Sequence, residues 1–277
     1  MIRSLSTALF FFLILTTALP SYAQIERERA NIVEPVDAFS ATNLITQPTT
    51  YQLPASNLKS TIMHSFGIAT DDAIRNFFGL DNVQNVRLGI DVGITDHWSV
   101  GIGRSSQLNV VDLRTKISII SQNTSGANQF SLSLKGDVGV VTQENNIPFE
   151  EDISALVSAI FSKKFDVFSL QIAPMYAHFN DAEDGTDLFA IGIGSELQLS
   201  ERYSLIAEYY PVLGDRPAGA QNAFSLGLNI QTGGHVFQLF LTSTEWHLEQ
   251  YILLNNDNQF WAGDFRFGFN INRVFGL

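Results

Sequence analysis

Between Val86 and Ile102 apolar and polar residues change places one by one. Val86, Leu88, Ile90, Val92 and Ile94 alternate with Arg87, Gly89, Asp91, Gly93 and Thr95; after a Thr95-Asp96-His97 break, Trp98, Val100 and Ile102 resume the rhythm. Period two places successive side chains on opposite faces of a strand, so this stretch predicts a hairpin with one greasy and one polar face. The same rhythm recurs almost to the end of the chain. It predicts about twelve strands of roughly ten residues, the length that a tilted strand needs to cross a bilayer. Their centres fall in 58-67, 85-95, 97-107, 110-121, 129-143, 152-163, 166-179, 188-200, 203-213, 222-232, 235-245 and 260-275. Helical periodicity is confined to a short segment, 71-78.

The connections alternate between short and long. Those around Asp96, Lys164-Phe165-Asp166, Glu201-Arg202 and Gly233-Gly234 are tight, whereas 68-84, 144-151, 180-187, 214-221 and 246-259 are mostly longer and rich in acid, Asn and Gly. Short periplasmic turns and longer extracellular loops are the asymmetry of an outer-membrane barrel. Trp98, Phe130, Phe168, Tyr203 and Phe237 each follow a connection on the short-turn side and predict an aromatic girdle at one membrane interface. Tyr176, Tyr209, Phe224, Trp246 and Trp261 predict a second girdle at the other end. A soluble sandwich or lipocalin-like barrel would show the same alternation with its apolar face inward. Against it stands the polar face, which carries Gly89, Gly93, Gly101, Gly103, Ser131, Ser133, Gly192 and Gly194 where a solvated sheet would carry Lys and Glu. Small residues fit a crowded lumen. The fold class expected is therefore all-β, an antiparallel transmembrane β-barrel of about twelve strands.

Residues 1-23, with Arg3, an apolar stretch and a Ser21-Tyr22-Ala23 exit, predict a cleaved signal peptide and export to the bacterial outer membrane. Residues 24-57, punctuated by Pro35, Pro48 and Pro54, are open to three placements: a periplasmic extension, a lumen plug or an extra hairpin. The barrel itself spans 58-277. The chain has 16 basic and 28 acidic residues, a net charge of −12, and no cysteine. That balance argues against nucleic acid as a partner, because phosphate binding needs clustered basic charge.

Following strand parity, the polar face collects Lys59, Arg87, Asp91, Arg114, Lys116, Lys135, Asp137, Glu196, Glu208, Asp264 and Arg266. A basic side chain facing lipid at mid-bilayer costs about 2–4 kcal/mol, so these groups are expected to face the lumen. Six are basic and five acidic, a mixture suited to pairing across the lumen. His64 and Ser65 are adjacent and so point to opposite faces of a strand, which excludes them as a nucleophile–base pair. The five histidines have no metal-ligand spacing, and the acidic 180-187 stretch lacks the order of an EF-hand. No catalytic residue, metal or cofactor is expected, and the protein is not expected to be an enzyme.

Three stretches, FSATNLITQPTTYQLPASNLKSTIMHSFG (39-67), FFGLDNVQNVRLGIDVGITDHWSVGIGRSS (77-106) and DLRTKISIISQ (112-122), resemble the uncharacterised outer-membrane β-barrel proteins of Bacteroidota catalogued as a domain of unknown function. The resemblance covers nearly all of the chain after residue 23. It departs at His64-Ser65-Phe66-Gly67, where the family commonly has His-Arg-Phe-Gly. It implies the barrel fold and an outer-membrane location, and it supplies no activity. Phe265, Phe267, Phe269, Ile271 and Phe275 give the last strand the look of an assembly signal for the barrel-insertion machinery, although Gly276-Leu277 follows. The partners expected are that machinery and outer-membrane lipid. The leading functional expectation is a pore or permeability protein. The competing one is a non-conducting structural or surface-interaction barrel acting through its acidic loops, and a hydrolase is a distant third.

Overall fold

A computed structural model describes residues 34–180 and 185–276. The signal-peptide expectation therefore lies outside the described residues. Twelve antiparallel strands make the wall: β1 (Asn57–Ile68), β2 (Val83–Thr95), β3 (Trp98–Ser105), β4 (Val111–Ile120), β5 (Ser131–Val140), β6 (Ile153–Phe165), β7 (Phe168–Phe179), β8 (Thr186–Gln198), β9 (Tyr203–Tyr210), β10 (Ala223–Thr232), β11 (His235–Thr242) and β12 (Arg266–Gly276). Each strand pairs with its neighbours in sequence, and the sheet closes where Asn57 of β1 meets Gly276 of β12. Closure leaves no unpaired edge, which is what lets a sheet lie in hydrocarbon. Pro211, which has no N–H to donate, ends β9; Val212–Leu213 then resume pairing with β8.

The alternation seen in the sequence fixes which way each strand faces. Leu88, Ile90, Ile102, Leu113, Leu134, Val157, Ile172 and Leu239 are exposed on the outer wall, while Arg87, Ser105, Asp112, Ser133, Ser158, Gln171 and Gln238 are buried inside. Trp98, Phe130, Phe168 and Tyr203 are exposed on the outside near the short turns, and Phe237 is half-buried there against His235. At the other end, Phe224 packs on Tyr209, Phe260 and Trp261. Trp246, expected in that second girdle, is instead buried inside the barrel. β11 stops at Thr242, and the chain turns into the lumen before reaching Trp246.

Two further elements depart from the sequence reading. Residues 71-78 form turns rather than a helix, with positive φ at Asp72, Phe77 and Phe78. A helix, α1 (Glu249–Asn255), forms in the connection before β12, and Glu249 to Leu253 are buried. It is two turns long and could not stand alone in water; packing inside the barrel holds it.

Candidate functional site

The lumen is filled from both ends. From the short-turn end comes the chain that precedes β1. Asn43 bridges Pro48, Leu44 N–H donates to Gln47 O at 2.8 Å, and the resulting tight turn presents three successive N–H groups to one carboxylate. Ile45, Thr46 and Gln47 donate to Glu208 at 3.2, 3.0 and 3.0 Å, and Thr46 Oγ1 adds a bond of 2.6 Å. Glu196 accepts from Ser40 N–H at 3.0 Å and Ser204 Oγ at 2.6 Å. Gln171 reaches Gln47 and Pro48, and Asn270 reaches Ile45 O, so polar lumen residues satisfy the backbone of this turn as a partner strand would. Phe39, Leu44 and Ile45 pack on Ile206 and Phe240 of the wall. A Cβ on Gly194 would lie 2.5 Å from Gln47 Oε1, and one on Gly192 would overlap the same side chain. Gly192 and Gly194 are therefore seats for this inner segment.

From the opposite end the 243-265 connection folds inward. Glu245 anchors its start: its carboxylate accepts from Gln107 at 2.9 Å and from Arg266 at 2.7 Å, and its carbonyl accepts from Ser65 and Asn85. Asn256 anchors its end by exchanging hydrogen bonds with Gln221. Between these anchors Trp246, Leu248, Tyr251, Ile252 and Leu253 bury against Leu156, Ile160, Met175, Phe179 and Leu188. On β6 to β8 the inner face, expected to be polar, is thus partly apolar, because there it receives the apolar side of α1.

The charged residues gather on the other half, β1 to β5. Arg87 holds Asp112 with two nitrogens, Nη2 at 2.6 Å and Nε at 3.2 Å; Arg114 joins Asp112 and Asp91, each at 2.6 Å; Lys59 meets Asp91 at 3.2 Å. Lys135 pairs with Asp137 at 3.5 Å and with Glu249 of α1. Gly101 and Gly103 make room for this network, since a Cβ on Gly103 would lie 2.6 Å from Asp112 Oδ1.

Of the eleven charged residues expected in the lumen, ten face inward, but they divide by task. Lys59, Arg87, Asp91, Arg114, Lys135 and Asp137 pair with one another and with Asp112 and Glu249; Glu196 and Glu208 hold the inner segment; Arg266 holds Glu245. Lys116 donates to two carbonyls, Thr49 O at 2.8 Å and Tyr51 O at 2.5 Å. Asp264 departs from expectation: β12 begins only at Arg266, and Asp264 lies in the loop, accepting from Gln259 N–H at 3.2 Å. Asp112, fully buried, was missed although it shares the parity of Arg114 and Lys116. Glu245, His247 and Glu249 come from a connection, where parity carries no signal.

Between the inner segment and the infolded connection lies a cavity of about 90 Å³, lined by Thr42, Asn43, Lys59, Arg114, Lys116 and His247 among others. Burial, helped by nearby Arg87, pushes the His247 imidazole down to about 3, so it is neutral at pH 7. Neither of its ring nitrogens has a hydrogen-bond partner among the described residues. No group of three or more His, Cys, Asp or Glu residues with metal-holding geometry occurs among the described residues.

A closed antiparallel barrel with apolar residues outside and polar groups sealed within defines a membrane β-barrel of the outer-membrane kind. The family model described as "Membrane bound beta barrel domain (DUF5777)" matches residues 39–275, and the chain belongs to that family. No curated protein matches. Among solved structures, the NanC porin aligns at 8% identity and a TM-score of 0.49, covering 79% of this chain and 99% of that one. LpxR from Salmonella typhimurium aligns at 9% identity and a TM-score of 0.38, covering 80% and 100%. OmpT, an outer membrane protein of Vibrio cholerae, aligns at 6% identity and a TM-score of 0.41, covering 79% and 96%.

Proposed function

We propose that the protein is a non-conducting outer-membrane scaffold whose lumen serves as a folded core and whose outward loops carry its function. The supporting observation is the packing of the infolded connection. Five large apolar side chains, Trp246, Leu248, Tyr251, Ile252 and Leu253, are buried in the lumen, and each stabilises the closed arrangement by roughly 1.5–3 kcal/mol. Together they hold it by on the order of 10 kcal/mol before the anchors at Glu245 and Asn256 are counted. Thermal fluctuation does not open a conduit against a cost of that size. The loops opposite the termini present Asp71, Asp72, Asp81, Glu144, Glu150, Glu151 and Asp215 at the surface, which suits a partner of complementary positive charge.

The conduit reading keeps one observation in its favour: the charged half-lumen and its cavity, which an opened connection would expose to water. Purified protein in planar bilayers separates the two. The intact chain is expected to be silent, and a variant that lacks residues 38-53 and carries a short Gly-Ser link in place of residues 246-255 is expected to give single-channel steps. Stable steps from the intact chain would overturn the proposal.

A further inference from the structure

Four of the five cations on the charged half-lumen have a carboxylate within salt-bridge distance; among the described residues Lys116 has none. Its ammonium is buried, and its hydrogen-bond partners among the described residues are the two carbonyls of the inner segment. The charges that bear on it are Lys59 and Lys135, which repel, and Asp91, which attracts but is already shared between Lys59 and Arg114. Carbonyl dipoles solvate an ammonium without neutralising it, and a buried charge left uncompensated either loses its proton or acquires a counter-ion.

The surroundings favour a counter-ion. Lys116 borders the cavity with four other cations, Lys59, Arg87, Arg114 and Lys135, and with three carboxylates, Asp91, Asp137 and Glu249, each already paired to one of those other cations; His247 lies on the same cavity with both ring nitrogens unpartnered among the described residues. The His247 side chain is 5% exposed. A buried imidazole of this kind calls for a polar occupant within reach. The volume suffices for several waters or for one small anion with water beside it.

We infer that this cavity is a binding site for a small monovalent anion, a halide or a carboxylate the size of formate or acetate, held against the Lys116 ammonium. The inner segment lines the site on one side and residues 247-249 line it on the other, and its volume favours small anions over bulky ones.

Bromide is the probe. Crystals of the full chain grown in bromide are expected to show an anomalous peak in the cavity beside Lys116 Nζ, absent in Lys116→Met. In solution, replacing sulfate by bromide at constant ionic strength is expected to raise the unfolding temperature of the intact protein saturably, by a few degrees, since a ligand that binds only the folded form stabilises it. Lys116→Met, judged folded by its heat-modifiable gel mobility, is expected to lose that response. No cavity peak together with a flat bromide titration in the intact protein would overturn the inference; so would an unchanged peak in the variant. Should the variant fail to fold, the crystal and the titration of the intact protein still decide.

Discussion

Glu208 is worth more to this protein as an acceptor than as a charge. Its carboxylate takes three backbone N–H groups and one hydroxyl from residues 45 to 47, so truncation to Ala orphans several buried donors at once. Each buried donor left unsatisfied costs about 1–3 kcal/mol. Glu208→Ala is expected to lower the unfolding temperature and to raise hydrogen exchange at Ile45, Thr46 and Gln47 far more than in the strands. Asp112 plays the complementary part, because Arg87 and Arg114 both close on it. Asp112→Asn should destabilise the barrel by roughly 3–5 kcal/mol, the usual consequence of breaking a buried ion pair from one side; denaturant titration in detergent reads it. Parity carried most of this network, Asp112 included, because residues 112, 114 and 116 all point inward. It could not say that Glu196 and Glu208 would serve backbone amides, since their partners lie more than 150 positions away in a segment with no period of its own.

The strands were legible because half-buried strands in lipid obey one rule with few exceptions: apolar out, small or polar in. The rule weakens on β6 to β8, where Leu156, Ile160, Met175 and Leu188 point inward although the lumen was expected to be polar. Those positions were the sequence's only sign of α1, and reading them needed knowledge of what packs there. The helix itself is seven residues long, too short for a 3.6-residue period to stand out. Conversely, 71-78 looks helical by composition but breaks at Phe77, Phe78 and Gly79, all with positive φ. Ile252→Asp places a carboxylate among Leu156, Tyr251 and their neighbours. It is expected to release the connection while leaving the wall intact, so that a protease cutting near residue 250 cleaves the variant and spares the parent protein. Equal resistance in both would sink the claim that apolar packing holds this connection.

At the scale of the whole molecule the wall closes through its two ends, and this ties closure to the plugging of the lumen. β1 must meet β12 to finish the barrel, and β1 is the direct continuation of the segment seated on Glu208, Gln171 and Gly194. A chain that closed first would have to fit residues 38-53 into a finished lumen whose wall they already touch closely, since a Cβ on Gly192 or Gly194 would overlap Gln47 or Leu44. The expected order of assembly is that the inner segment settles on the open sheet and the β1–β12 seam is made over it. In that order the stretch before the first strand would act as a mould for the cylinder that later encloses it. A chain lacking residues 24-56 is accordingly expected to reach its compact, heat-modifiable form more slowly than the full chain.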